Sequence, residues 1–373
     1  MNIKAIGFFI LFFFNLLWVD TVFAEQPVIG NMIFFGDSLS DVGDNTWISI
    51  DGEIGTPITN LNDRNYKYLW PDYLVKYKLN RNKSVYPFNQ PNVSPFNDSI
   101  SYAYASAETG DDYLNTDWPQ PDSPSFVNSL CTSPGVIKDA TGKITSTCVP
   151  GLLKQVDVYL NNVQFKPSSQ TAFFIWAGAN DLINAYLARM AKYSGSFAWQ
   201  VWFAIDFPLP AREDLYPVEQ KTVDNIMAAK KKLIDAGVKA EMIYILDLPD
   251  LSKTPFILHA DNAAMDSPFP PDRKDRFKSS ISNMSQDFNQ KLHSQQVEAK
   301  YAIPASHYIP IAKLFNDMIA NPKEYGLSNT EDSCVAANKA PACKGYLFYN
   351  LKHPTAAVHE MIAINIVDTL FNT

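Results

Sequence analysis

Residues 32–43 read Met-Ile-Phe-Phe-Gly-Asp-Ser-Leu-Ser-Asp-Val-Gly. An apolar run that breaks at Gly36 is typical of a buried strand ending in a turn. The turn places Ser38 on the first polar loop after the strand. In open parallel sheets, ligands bind beyond the carboxyl ends of the strands. The stretch therefore predicts a parallel sheet with a polar side chain at its binding edge.

The rest of the chain repeats this alternation of short apolar runs and longer amphipathic segments. The predicted strands cover residues 31–35, 172–177 and 242–246. The predicted helices cover about residues 218–236, residues 275–300 and the segment after Pro354. Strands that alternate with helices predict an α/β domain with a central parallel sheet between helical layers.

The N-terminus has the pattern of a secretory signal peptide. Lys4 precedes an apolar run from Ile6 to Val19, and Val22-Phe23-Ala24 has the small residues of a cleavage site. We expect cleavage after Ala24 and export to the periplasm or the outside of the cell. A retained anchor is the alternative, although the run is shorter than the ~20 residues of a spanning helix. About 350 residues remain, enough for one large domain.

Composition narrows the partners. A net charge of −8 argues against nucleic acid and against electrostatic attachment to anionic lipid, since both need basic patches. Any membrane contact would be peripheral and apolar.

The four cysteines are even in number, which favours disulfides in an exported chain. Three pairings are possible, and we expect Cys131 with Cys148 and Cys334 with Cys343 because each pair brackets a polar loop. A zinc site is the alternative, but the spacing of metal ligands is missing. We expect no metal and no cofactor.

Two regions have the composition of insertions in a single domain over residues 25–373. Residues 80–150 include an Asn-, Pro- and Ser-rich stretch and the 131–148 loop. Residues 193–217 are crowded with aromatic side chains. The second region is either an ordinary buried element or an apolar lid beside the site.

Two further motifs complete the chemistry that Ser38 begins. Gly178-Ala-Asn180-Asp181 follows a predicted strand, and Asn350-Leu-Lys-His353-Pro-Thr lies near the C-terminus. A hydroxyl activated by an imidazole, with donors for an oxyanion, can carry out acyl transfer. Taken singly, Ser38 is equally a helix N-cap and Asn180 a turn residue.

Together these motifs resemble the GDSL, or SGNH, hydrolases, and more narrowly the bacterial glycerophospholipid:cholesterol acyltransferase-like group of secreted phospholipases. The resemblance rests on residues 35–45, 178–181 and 349–359, in the order of the family. It implies a flavodoxin-like three-layer αβα fold, with Ser38 as nucleophile and His353 as base. Asn180 and the backbone N–H of Ser38 would supply oxyanion donors.

The sequence departs from the family pattern twice. Ser106 occupies the expected place of an oxyanion glycine, with Gly110 as the fallback assignment. Asn350 replaces the acid that usually orients the histidine. An amide carbonyl can fix the tautomer of His353, but it cannot stabilise imidazolium by charge.

The resemblance predicts a secreted serine lipid esterase acting on phospholipids or lysophospholipids, with acyl transfer to cholesterol as a further reaction. Members of this group often carry a disulfide-bounded loop whose nicking raises activity, so the 131–148 loop would be the target of an activating protease. The alternatives are a structural role for that loop, a short-chain or carbohydrate esterase on the same fold, and a lipid-binding protein with weakened catalysis.

Overall fold

A computed structural model describes residues 28–43, 68–79, 85–88, 92–111, 113–115, 135–138, 144–185, 212–258, 272–295, 297–340 and 342–371. Within these ranges the strands are β1 (Asn31–Gly36), β2 (Tyr86–Pro87), β3 (Ile100–Ser101), β4 (Tyr113–Asn115), β5 (Gly135–Lys138), β6 (Ile144–Val149), β7 (Thr171–Trp176), β8 (Ile243–Leu246), β9 (Tyr308–Ile309), β10 (Asn329–Ser333) and β11 (Tyr346–Phe348). The helices are α1 (Trp70–Leu79), α2 (Leu152–Asn162), α3 (Arg212–Asp235), α4 (Asp272–Ser294), α5 (Ile311–Ala320) and α6 (Ala356–Leu370).

The central sheet has six parallel strands in the order β2-β3-β1-β7-β8-β9. From β1 the chain builds towards β3 and β2 on one side, and later towards β7, β8 and β9 on the other. The strand order therefore reverses at β1, and a crevice forms at the carboxyl edge of such a switch point. The loop that carries Ser38 leaves the sheet there.

Alternating side chains of β1 bury themselves against helices on opposite faces of the sheet. The ring of Phe34 packs at 5.2 Å on Trp70 of α1, and that of Phe35 at 5.9 Å on Tyr159 of α2. Because side chains alternate along a strand, this pair shows that β1 is covered on both faces. Helices α1 and α6 pack together, as do α2, α3 and α4 in turn. The predicted three-layer αβα fold with a central parallel sheet is confirmed.

The predicted elements differ from the structure mainly at their ends. The three predicted strands correspond to β1, β7 and β8 within one residue. Helix α3 begins at Arg212, earlier than predicted, and has Pro217 inside it. Helix α4 ends at Ser294 rather than at Lys300. Its apolar spacing ends at Leu292, so the polar residues that follow have no core face to bury.

Two small sheets accompany the central one. Strands β4, β6 and β5 form an antiparallel sheet, so part of the 131–148 segment is a β-ladder. Cys131 lies outside the described residues, and the pairing of Cys131 with Cys148 stays a prediction. Cys334 and Cys343 form the second predicted disulfide, with their Cα atoms 5.5 Å apart. It joins the two ends of the segment between β10 and β11.

Other predictions concern segments without a described structure. The signal peptide and nearly all of the aromatic segment 193–217 lie outside the described ranges. Within those ranges, no helix combines the length and apolar character needed to cross a membrane.

Candidate active site

The site begins with the turn that follows β1. Gly36 has φ +146°, and a Cβ there would overlap the carbonyl oxygen of Trp176 on the neighbouring strand. The side-chain amide of Gln155 on α2 accepts from the Gly36 N–H and donates to the Gly36 carbonyl, at 2.9 and 2.8 Å. Glycine is needed because the backbones approach closely. This packing fixes the point from which Ser38 projects.

Ser38 and His353 lie 315 residues apart in sequence and meet in the fold. Ser38 Oγ lies 2.7 Å from His353 Nε2, and His353 Nδ1 lies 3.0 Å from Asn350 Oδ1. The three residues therefore form one continuous hydrogen-bonded chain. It has the geometry of a nucleophile, a base and an orienting group.

The orientation of the Asn350 amide is fixed by its neighbours. Oδ1 accepts from the backbone N–H groups of Lys352 and His353 at 2.9 and 2.8 Å. A backbone N–H can donate only to an acceptor, so the carbonyl oxygen, not the NH₂ group, faces His353. His353 then carries its proton on Nδ1 and leaves Nε2 to accept from Ser38.

The surroundings of His353 keep the imidazole neutral. Burial, together with the nearby charge of Lys352, lowers the pKa of His353 to about 4. A neutral imidazole can accept the Ser38 proton at ordinary pH. The same surroundings make the imidazolium formed during the reaction less stable.

The predicted oxyanion donors lie on two adjoining loops. Asn180 Nδ2 donates to the carbonyl of Ala107 at 2.9 Å, and the same nitrogen carries a second hydrogen. Ser106, the next residue back, has φ +67°, in the left-handed region that favours glycine. This conformation gives a physical reason for the glycine that the resemblance predicted at this position.

Gly110 lies farther along the same loop, and its carbonyl accepts from the N–H of Leu153 in the first turn of α2. The structure thus uses Gly110 to anchor a helix. Neither Gly110 nor Ser106 lines the cavity at Ser38, whereas Asn180 does. Of the two candidates, Ser106 is the one adjoining the residue that Asn180 contacts.

A buried carboxylate, not anticipated from the sequence, holds the two loops together. Asp181 accepts from the backbone N–H and the hydroxyl of Thr109, at 3.0 and 2.6 Å. Burial and the nearby Glu108 raise the pKa of Asp181 to about 7. The position of Asp181 directly after Asn180 was the available signal for this role.

An open cavity of about 740 Å³ lies in front of Ser38 and His353. Asp37, next to Ser38, also lines it, and burial raises the Asp37 pKa to about 7. Much of the wall is apolar: Ile183, Leu251, Phe315, Ile319 and Phe348. Phe315 and Ile319 lie one turn apart on α5, a helix whose face could be read from its i, i+4 spacing.

The other described histidines have separate roles in the fold. His293 lies 3.2 Å from Asp247 Oδ2, and His307 contacts the Ile243 carbonyl at 3.0 Å. His359 is buried in α6, where Nδ1 accepts from the Trp70 N–H, and burial lowers its pKa to about 3. His259 lies outside the described residues. Among those described, His353 is the histidine that contacts Ser38.

A parallel sheet with a Ser-His pair at its carboxyl edge is the arrangement of a serine ester hydrolase. The sequence matches the GDSL-like lipase/acylhydrolase family over residues 32–366, and the chain belongs to this family. The family prediction made from the motifs is confirmed.

The similar curated proteins include GDSL esterase/lipases of Arabidopsis thaliana. Two of them are 23% identical to this chain over 376 aligned residues, and a third is 22% identical over 375. Each alignment covers 92% of this chain and 90% of the relative. These relatives are plant proteins, so the narrower resemblance to the bacterial acyltransferase-like group stays a prediction.

Proposed function

We propose that the chain is a secreted serine lipid esterase that hydrolyses acyl esters of phospholipids or lysophospholipids. The observation that carries the proposal is the hydrogen-bonded chain Ser38–His353–Asn350 opening onto a cavity with an apolar wall. Membership of an esterase/lipase family supports ester hydrolysis. The apolar wall supports a substrate with a hydrocarbon chain.

In this mechanism, Ser38 Oγ attacks the ester carbonyl while His353 Nε2 takes the hydroxyl proton. The resulting oxyanion accepts from the second hydrogen on Asn180 Nδ2 and from the backbone N–H groups of Ser38 and Ser106. One such donor is typically worth ~10²–10³ in rate. His353 returns the proton to the leaving alcohol, and the acyl group stays on Ser38.

Water activated by His353 then releases the acyl group as a fatty acid. An alcohol in place of water would receive the acyl group as an ester, so transfer to cholesterol differs only in the second nucleophile. The proposal includes this transfer as an alternative fate of the acyl-enzyme. A short-chain or carbohydrate ester would follow the same steps.

A second candidate function is lipid binding with weak catalysis. The specific observation is that Asn350 offers no charge to an imidazolium whose pKa is already lowered to about 4. In this case the apolar cavity would hold a lipid without rapid turnover.

The proposal also covers where and how the enzyme would work. Export through residues 1–24 would place it in the periplasm or outside the cell, where it would contact membranes peripherally. Nicking within the 131–148 segment by a protease would raise activity by easing access to Ser38. Equal activity of intact and nicked protein would remove this regulation from the proposal.

The experiment measures fatty acid release and cholesteryl ester formation from phospholipid and lysophospholipid liposomes, using residues 25–373 and the same chain with Ser38→Ala. Release that disappears in the variant supports the esterase. A fluorophosphonate probe, which labels an activated serine, separates the two candidates. A folded protein that neither releases fatty acid nor takes up the label would overturn the esterase in favour of lipid binding.

A further inference from the structure

The cavity at Ser38 has two cationic residues in its lining. Lys352 directly precedes His353, and Lys253 lies in the turn after β8. The ammonium of Lys352 lies 4.5 Å from the centre of the Phe256 ring. Within the described part of the chain, neither lysine has a carboxylate within ion-pair distance. Both cations therefore lack a protein counter-ion among these residues.

The two acidic residues in the same lining are engaged elsewhere. Asp250 accepts from the Ser252 N–H through one oxygen, at 3.0 Å, and from the Ser282 hydroxyl through the other, at 2.7 Å. Asp37 is buried, accepts from the Leu39 N–H, and has a pKa raised to about 7. The lining therefore has an excess of positive charge near neutral pH.

Lys352 is placed where a ligand anion would gain most from it. Its side chain is partly buried, and this burial lowers its pKa. A desolvated cation is unfavourable until an anion pairs with it. Phe256 partly compensates through a cation–π contact. Its other surroundings in the cavity are those of a site that a substrate group completes.

We propose that Lys352, with Lys253 beside it, binds a phosphate group carried by the ester substrate, so that the enzyme prefers anionic esters to matched neutral ones. The inference rests on the proposed function, because it concerns the same cavity. Lysine is a common ligand of phosphate, which it binds as a point charge.

The bound phosphate would also affect the chemistry. The groups that face His353 are Ser38, Asn350, Lys352 and, from α6, His359. The charge of Lys352 disfavours imidazolium, and a phosphate paired with Lys352 would offset that charge. The substrate would then supply part of the stabilisation that Asn350 does not. The preference should therefore be visible in kcat as well as in KM.

The test compares hexanoylglycerol with hexanoylglycerol 3-phosphate, both below their aggregation limits so that no membrane surface contributes. The full mature chain should favour the phosphate by about tenfold or more in kcat/KM, the typical value of a charged hydrogen bond. Lys352→Met should reduce this ratio to near one, and Lys352→Arg should keep most of it. An unchanged ratio in Lys352→Met would overturn the inference.

The matched control is Lys239→Met, which makes the same charge change at an exposed residue before β8, at the opposite edge of the sheet. Its ratio should equal that of the parent chain. A loss in the control as large as in Lys352→Met would mean that net charge, not the cavity, sets the preference. Repeating the comparison with palmitoyl substrates in mixed micelles tells whether the phosphate is recognised on a lipid or only on a soluble ester.

A separate measurement distinguishes this inference from the proposed function. Calorimetry measures binding of hexanoylglycerol 3-phosphate to Ser38→Ala, with and without Lys352→Met. Weaker binding in the double variant supports the lysine site even if the parent chain hydrolyses neither ester, a result that would sink the esterase alone. Equal binding would overturn the lysine site whatever the hydrolysis shows.

Discussion

Asn350→Asp should raise the turnover of this enzyme. Asn350 already has the position of an orienting carboxylate, since its Oδ1 accepts from two backbone N–H groups and from His353 Nδ1. The substitution keeps the shape and adds a negative charge next to the imidazolium that forms in the reaction. The three donors around this oxygen suit a carboxylate better than an amide.

The magnitude follows from the geometry. With 3.0 Å between Oδ1 and Nδ1, the charge centres lie about 4 Å apart, and their attraction is about 4 kcal/mol at an effective dielectric constant of 20. Desolvation of the new carboxylate removes part of this. A remaining gain of about 1.4–3 kcal/mol in the transition state corresponds to about 10–100-fold in kcat.

The assay is kcat on a soluble ester, measured for the parent, Asn350→Asp and Asn350→Ala. The control is Asn161→Asp, which adds the same charge at an exposed residue near the end of α2. The carboxylate should also raise the pKa of His353, so the acid limb of the pH profile should move to higher pH. Unchanged or lower turnover in a folded Asn350→Asp protein would refute the reasoning and remove Asn350 from the mechanism.

Three further predictions concern the same region. In the parent chain, kcat/KM should hold down to about pH 5, because a His353 pKa near 4 leaves the imidazole neutral above that pH; an acid limb at pH 6–7 would contradict this. Ser106→Gly should increase the free energy of unfolding by about 0.5–1 kcal/mol, measured by urea denaturation, since it relieves a left-handed φ, and should keep activity, since the proposed donor is a backbone N–H; a loss of stability would argue against strain at this residue. Replacing Cys334 and Cys343 together by Ser should cost about 2.5 kcal/mol of stability and reduce activity, because Cys334 and Val335 donate to carbonyls just before the His353 loop; full activity at a lower Tm would confine the disulfide to stability.

The sequence was informative wherever a local pattern was enough. The apolar runs predicted β1, β7 and β8, because a buried parallel strand needs no partner to be recognised. The ends of α3 and α4 were less accurate, because a helix stops where its buried face stops, and that depends on what packs against it. The motifs also indicated the family, since Ser38, Asn180 and His353 follow strands or loops in its order.

The sequence by itself determined the fold class and named the residues from which a Ser-His site is built. Only the tertiary structure decided which oxygen or nitrogen of Asn350 faces His353, because two backbone N–H groups of a folded loop select the carbonyl. It also decided that α5 supplies an apolar wall and that Lys352 stands in the cavity without a carboxylate among the described residues. These properties depend on distances between segments far apart in the chain, and the order of residues along a strand or helix does not contain such distances.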